Sequence, residues 1–189
     1  MGGPTNLAIF ASGSGTNAEN IIKYFDSHAS IHVKQVLSNK ENAGVHLRAE
    51  RLGVPSSTFS REEYKDSSFL RSLVDIDYIV LAGFLWLIPQ YLVNAFPGKI
   101  INIHPALLPN FGGKGMYGNH VHQAVIDAGE TTSGITIHLV NEEYDKGEIL
   151  FQASCSVEKA DTAEFLAAKI HALEYEHFPR VIEEYIVSQ

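Results

Sequence analysis

The stretch IINIHPALLP, residues 100–109, sets an amide and an imidazole two positions apart in an apolar run that stops at a proline. Side chains alternate faces along a strand, so Asn102 and His104 share one face while Ile101 and Ile103 take the other. An amide can donate to a developing oxyanion, and an imidazole can carry a proton near neutral pH. Such a histidine wants a carboxylate to orient it and favour its charged form. Asp145, in the turn NEEYDKG that Gly147 helps to make, is the leading candidate. The pairing predicts a raised imidazole pKa, each unit of which corresponds to about 1.4 kcal/mol of preference for the imidazolium. The alternative is a core histidine hydrogen-bonded to backbone.

A second motif, ASGSGTNAENII (residues 11–22), follows an apolar strand pattern. Gly13 and Gly15 permit a tight turn, and a helix starting near Asn17 offers unpaired N–H groups at the positive end of its dipole. Read as G-x-G-x-x-A it loosely matches a dinucleotide fingerprint, which requires an acid closing the second strand. That strand ends in Leu37-Ser38-Asn39-Lys40, without a carboxylate, and no Lys-Ser/Thr pair makes a Walker loop. A single phosphate, as on a ribonucleotide, fits better; a tight turn without a ligand is the alternative.

Other polar residues read more blandly. His120 and His122 do not share a helix face and have no evident third ligand, so no metal site is expected. His138, between Ile137 and Leu139, either sits beside the active site or is a hydrogen-bonded strand histidine, and the strand reading is favoured. Asp161 or Thr162 is expected to cap the last helix.

The elements that must position these residues alternate. Leu7 to Ala11, Val33 to Ser38, Tyr78 to Ala82 and Ile100 to Ile103 read as buried strands. Asn17 to Phe25, Ala43 to Leu52 and Arg61 to Val74 read as helices between them. This alternation implies an α/β fold, doubly wound, with a mostly parallel sheet flanked by helices. If so, Asn102 and His104 lie at the carboxyl end of a central strand, where open α/β sheets place ligands. A Gly-rich loop (Phe111 to Gly118), a helix (His120 to Ala128), two strands (Ile135 to Val140, Ile149 to Val157) and a long helix (Thr162 to Ile186), interrupted or bent at Pro179, complete the pattern.

At 189 residues the chain suits one globular domain. A net charge of -8 argues against general nucleic-acid binding, and a lone cysteine, Cys155, rules out an internal disulfide or thiolate zinc site and fits a reducing, cytoplasmic setting. No apolar run reaches membrane-spanning length, and Asn6 stands where an N-myristoylation signal beginning Met1-Gly2 needs Ser or Thr.

SGSGTN, VLAGFLWLIP, INIHPALLP, SGITIHLVNEEYDKGEIL and LEYEHFPRVI together resemble the glycinamide ribonucleotide formyltransferases, folate-dependent enzymes of de novo purine synthesis, over nearly the whole chain. The resemblance implies a Rossmann-like formyltransferase fold with an antiparallel addition in the C-terminal half. It also implies a single domain over 1–189, with a phosphate-binding half at about 5–100 and a folate-binding and catalytic half at about 101–189. The implied activity moves a formyl group from the co-substrate 10-formyltetrahydrofolate to the amine of glycinamide ribonucleotide, without a metal.

Position by position, the resemblance implies that Asn102 holds the formyl oxygen, His104 donates and shuttles the proton, and Asp145 raises the His104 pKa. Gly15, Thr16 and Asn17 would hold the phosphate, and Glu174 the ribose or amine side. Arg61, Leu85, Trp86, Leu87 and Ile88 would line the folate pocket, with Asn102, Val140, Asn141, Glu142, Glu143 and Tyr144 completing it. Trp86 stands where many members carry a basic residue, which implies a stacking wall in place of a charged contact. The expected partners are small molecules, with neither nucleic acid nor membrane, and the chain a monomer or homodimer. Rival readings are a formyltransferase acting on a nucleotide sugar or methionyl-tRNA, hydrolysis of the folate, a dinucleotide-binding oxidoreductase, or a non-catalytic binding module.

Overall fold

The computed structural model describes residues 3–189, so the Met1-Gly2 start, read above as lacking a complete myristoylation signal, lies outside the described residues. The strands are β1 (Thr5–Phe10), β2 (Ile31–Ser38), β3 (Ser56–Thr58), β4 (Tyr78–Leu81), β5 (Ile100–His104), β6 (Thr132–Leu139) and β7 (Ile149–Ser156). They form a seven-stranded sheet in the order β3-β2-β1-β4-β5-β6-β7. The pairs β1/β2, β1/β4 and β2/β3 are parallel, and β6/β7 at the C-terminal end is antiparallel. The chain divides into two compact units, one ending at Ile101 and one running Asn102–Gln189.

In the first unit, helices α1 (Thr16–Phe25), α2 (Gly44–Arg51), α3 (Arg61–Lys65) and α4 (Gln90–Ala95) connect the strands. Leu7, Ile9, Phe10, Ile21, Phe25, Leu37 and Ile79 are almost fully buried, each such side chain stabilising by roughly 1.5–3 kcal/mol relative to exposure. The single helix expected over Arg61 to Val74 is two pieces. Ser60 and Glu63 close a capping box that starts α3. Asp66 then takes an extended backbone and accepts from the Ser68 N–H at 2.7 Å, restarting the chain as a 3-10 segment, Ser67–Leu73. A mid-pattern aspartate able to cap is what splits the helix. Strand β3 and helix α4 had no sequence expectation: β3 is three exposed residues at the sheet edge, and α4 only six residues long.

In the second unit, α5 (Asn119–Asp127) and α6 (Ala163–Val187) bury Val121, Val125, Leu166, Ile170, Phe178 and Ile182 together with Ile135 and Ile137 of β6. Thr162 caps α6 by accepting from the Phe165 N–H at 3.3 Å. The interruption expected at Pro179 is absent. Proline removes one backbone donor, but Phe178, Pro179, Val181 and Ile182 are all buried, and their packing carries the helix through.

Candidate active site

Strand β5 delivers Asn102 and His104 to the second unit, where His104 is 3% exposed. The segment after it is pinned by one buried hydroxyl. Thr136 Oγ1, in β6, donates to the Ala106 carbonyl (2.7 Å) and accepts from the Leu108 N–H (3.0 Å), while Gln152, its partner in β7, donates to it at 2.8 Å. From there the chain turns so that the Phe111 carbonyl lies 2.8 Å from His104 Nε2. A carbonyl only accepts, so Nε2 carries a hydrogen. Nδ1 faces Asp145 Oδ2 at 3.6 Å, an ion-pair distance too long for a direct hydrogen bond.

Asp145 is aimed by a strained turn. Its φ is 56°, in the left-handed region, and its Oδ2 accepts from the Gly113 N–H at 2.8 Å. Two residues on, a Cβ at Gly147 would lie 1.6 Å from the Leu139 carbonyl oxygen, so only glycine lets this loop return against β6. Within the loop, Asn141 Oδ1 accepts from the Glu143 N–H (2.9 Å) and Asn141 Nδ2 donates to the Lys146 carbonyl (3.1 Å). Those bonds give the segment Val140 to Tyr144 its shape, with Tyr144 exposed.

The register of β6 against β7 shifts between Ile137 and His138, a bulge of the kind that re-aims a side chain beside a site. His138, 1% exposed, does not sit apart as an ordinary strand histidine. Its Nδ1–H donates to the Leu139 carbonyl at 2.8 Å, and its Nε2 lies 3.0 Å from Asn102 Nδ2. The same Nε2 is 3.6 Å from Asp145 Oδ1. Asn102, His104, His138 and Asp145 thus form one cluster, and for His138 the less favoured of the two sequence readings, a place beside the site, is the one the structure shows.

The electrostatics differ from the sequence expectation at His104. Burial is the largest influence and pushes its pKa below the ordinary histidine value, against the upward pull of the Asp145 carboxylate and the Phe111 carbonyl. The ring is therefore neutral at rest, yet an acceptor stands opposite each nitrogen. Asp145 runs the other way: burial works to raise its pKa, but His138, His104 and the Gly113 N–H together hold it below the usual aspartate value. An ionised carboxylate beside a neutral imidazole is suited to stabilising a proton that arrives during reaction.

Elsewhere in this unit, Glu174 is buried in α6, its Oε2 2.8 Å from His171 Nδ1, a bond that raises the His171 pKa. His122 is buried too, with no hydrogen-bond partner for Nδ1 among the described residues, and burial lowers its pKa. Among the described residues no group of three or more His, Cys, Asp or Glu could hold a metal ion.

The first unit carries the remaining expected residues. Gly15, with φ 78°, is the N-cap of α1, and Thr16 and Asn17 begin the helix. A Cβ on Gly15 would overlap Val45 at 2.6 Å, so the turn demands glycine for space as well as conformation. Arg61 lies over the Trp86 ring at 5.5 Å, and Trp86 packs on Phe59 and Tyr64. Trp86 is thus built into an aromatic cluster with a cation on its face. Ile88 beside it is buried, whereas Leu85 and Leu87 are exposed.

Comparison with known proteins shows the family. The formyl transferase family model matches residues 5–182. Phosphoribosylglycinamide formyltransferase of Haemophilus influenzae is 35% identical over 186 residues, covering 94% of this chain and 85% of that protein. The chloroplastic phosphoribosylglycinamide formyltransferase of Arabidopsis thaliana is 43% identical over 185 residues, covering 93% of this chain; the chain spans only 63% of that relative's length. The crystal structure of phosphoribosylglycinamide formyltransferase from Bacillus halodurans superposes with a TM-score of 0.86 at 35% identity, covering 95% of this chain and 94% of that one. With the family model matching from the first strand into the last helix, the chain belongs to the formyl transferase family.

Proposed function

We propose that this protein transfers the formyl group of 10-formyltetrahydrofolate to the amine of glycinamide ribonucleotide, yielding formylglycinamide ribonucleotide and tetrahydrofolate in de novo purine biosynthesis. The observation that carries the reading is the cluster of half-buried Asn102 and Asp145 with buried His104 and His138, in a chain whose relatives bear that enzyme's name. The reaction forms a bond from the attacking amine nitrogen to the formyl carbon and breaks the bond from that carbon to the folate nitrogen. The tetrahedral species between them has a negative oxygen and a positive attacking nitrogen.

Asn102 spends one Nδ2 hydrogen on His138 and keeps the second for the developing oxyanion. His104, neutral at rest between two acceptors, takes the proton from the attacking nitrogen and returns it to the departing one; Asp145 stabilises the imidazolium in the interval. Backbone N–H groups of Gly15, Thr16 and Asn17 hold the substrate phosphate, and Glu174 the ribose or amine side. Arg61, the segment Leu85 to Ile88 and the loop Val140 to Tyr144 contact the folate. We read the chain as one formyltransferase domain working in the cytoplasm, a setting its single cysteine suits.

Folate difference absorbance decides the reading. A spectral change on adding glycinamide ribonucleotide to protein and 10-formyltetrahydrofolate is the expected result. A change only with an amino sugar nucleotide or with methionyl-tRNA would move the acceptor. A change with no acceptor present would indicate hydrolysis of the folate.

A further inference from the structure

The turn that opens α1 is braced from behind by α2. Val45 N–H donates to the Gly13 carbonyl at 3.2 Å, and a Cβ on Gly44 would stand 3.1 Å from the Ser14 oxygen, so the two backbones are in direct contact. One side chain completes the brace: Arg48 Nε donates to the Ser14 carbonyl at 2.8 Å. Its guanidinium also pairs with Glu19 in the first turn of α1, where Lys23 (2.6 Å) and Arg51 (3.7 Å) meet the same carboxylate.

We propose that Arg48 is a positioning residue for the phosphate of the ribonucleotide substrate, acting through the Ser14–Gly15 peptide. In a planar trans peptide the carbonyl and the N–H point in opposite directions. Drawing the Ser14 oxygen toward Arg48 therefore turns the Gly15 N–H away from α2 and into the concave side of the turn. A hydrogen bond to a cation also polarises the peptide and makes that N–H a stronger donor. The guanidinium does a second service. Glu19 is an anion within one turn of the helix N-terminus, where it would repel a phosphate, and Arg48 with Lys23 and Arg51 offsets its charge. Arg48 touches no reacting atom in this scheme; it sets direction and charge. The inference rests on the reading of Gly15, Thr16 and Asn17 as the phosphate cradle.

The test compares kcat/KM for glycinamide ribonucleotide with that for glycinamide ribonucleoside, which lacks the phosphate, in the wild-type protein and in Arg48→Met. Wild type is expected to favour the ribonucleotide strongly. Arg48→Met is expected to cut that preference by about tenfold or more, through KM for the ribonucleotide, with kcat/KM for the ribonucleoside and KM for folate unchanged. An unchanged preference in the variant, or an equal loss with both substrates, overturns the role of Arg48 while leaving the cradle intact. A wild type that does not discriminate between the two substrates overturns the cradle itself. Should Arg48→Met fail to fold, Arg48→Lys decides by the same ratio: it keeps a charge near Glu19 but replaces the fixed Nε–H by a freely rotating ammonium, so a full wild-type preference in that variant overturns the proposal.

Discussion

His138 Nε2 stands 3.0 Å from Asn102 Nδ2, and because His138 Nδ1–H is committed to the Leu139 carbonyl, Nε2 is the only ring nitrogen left to meet the amide. That relationship orients Asn102 with its nitrogen, not its oxygen, toward the strand neighbour. It makes the donor end of the amide the functional end.

His138→Phe keeps a flat ring, though a larger one, and removes the acceptor. Asn102 is then free to rotate, and the expected loss in kcat is about 10- to 100-fold, with KM for both substrates within about twofold. Steady-state kinetics on a variant with an unchanged melting temperature checks this. A kcat near wild type would return His138 to the role of a simple strand residue.

His104→Ala and Asp145→Ala are each expected to lower kcat by about 10²-fold or more with modest change in substrate binding. The double variant should lose little beyond the worse single one, because the carboxylate acts by stabilising a proton held on the ring. Fully multiplicative losses would separate the two residues mechanistically.

Stability should depend on pH through the buried imidazoles. Burial lowers the folded pKa of His104 and His122 below the unfolded value of about 6.5. The unfolded chain then binds more protons as pH falls, so their contribution is present above about pH 6.5 and is lost as pH drops toward the folded values. His171 opposes this: Glu174 raises its folded pKa, so its contribution is fully present below about pH 6.5 and is lost as pH rises from there through the raised folded pKa. His122→Leu removes one depressed group and an unpartnered buried nitrogen. Urea midpoints measured at pH 7.5, 6 and 5 should fall less steeply in that variant than in wild type, and parallel slopes would refute the burial account.

Gly147→Ala places a Cβ against the Leu139 carbonyl oxygen, which is backbone and cannot swing aside. The loop must shift and take Asp145 with it. We expect a loss of about 2 kcal/mol or more in stability together with a fall in kcat approaching that of Asp145→Ala. A variant of normal stability and rate would mean the loop has room that its geometry denies.

The alternation of strands and helices, the shared face of Asn102 and His104, the glycine turn before α1 and the candidacy of Asp145 were all legible in the residues. All of these are local: side-chain alternation, backbone freedom at glycine and polarity are properties of a few consecutive residues. Tertiary structure decided the rest. The Gly113 to Asp145 bond joins residues 32 apart, and Asn102 to His138 joins residues 36 apart. The bulge that aims His138 exists only because β6 pairs with β7 out of step. The resting charge of His104 reversed against expectation, because sequence displays the partner carboxylate but not the depth of burial, and at 3% exposure desolvation outweighs the pair. Even the division of Arg61 to Val74 into two pieces turned on whether Asp66 would cap a neighbouring N–H or stay helical, a choice made by packing rather than by propensity.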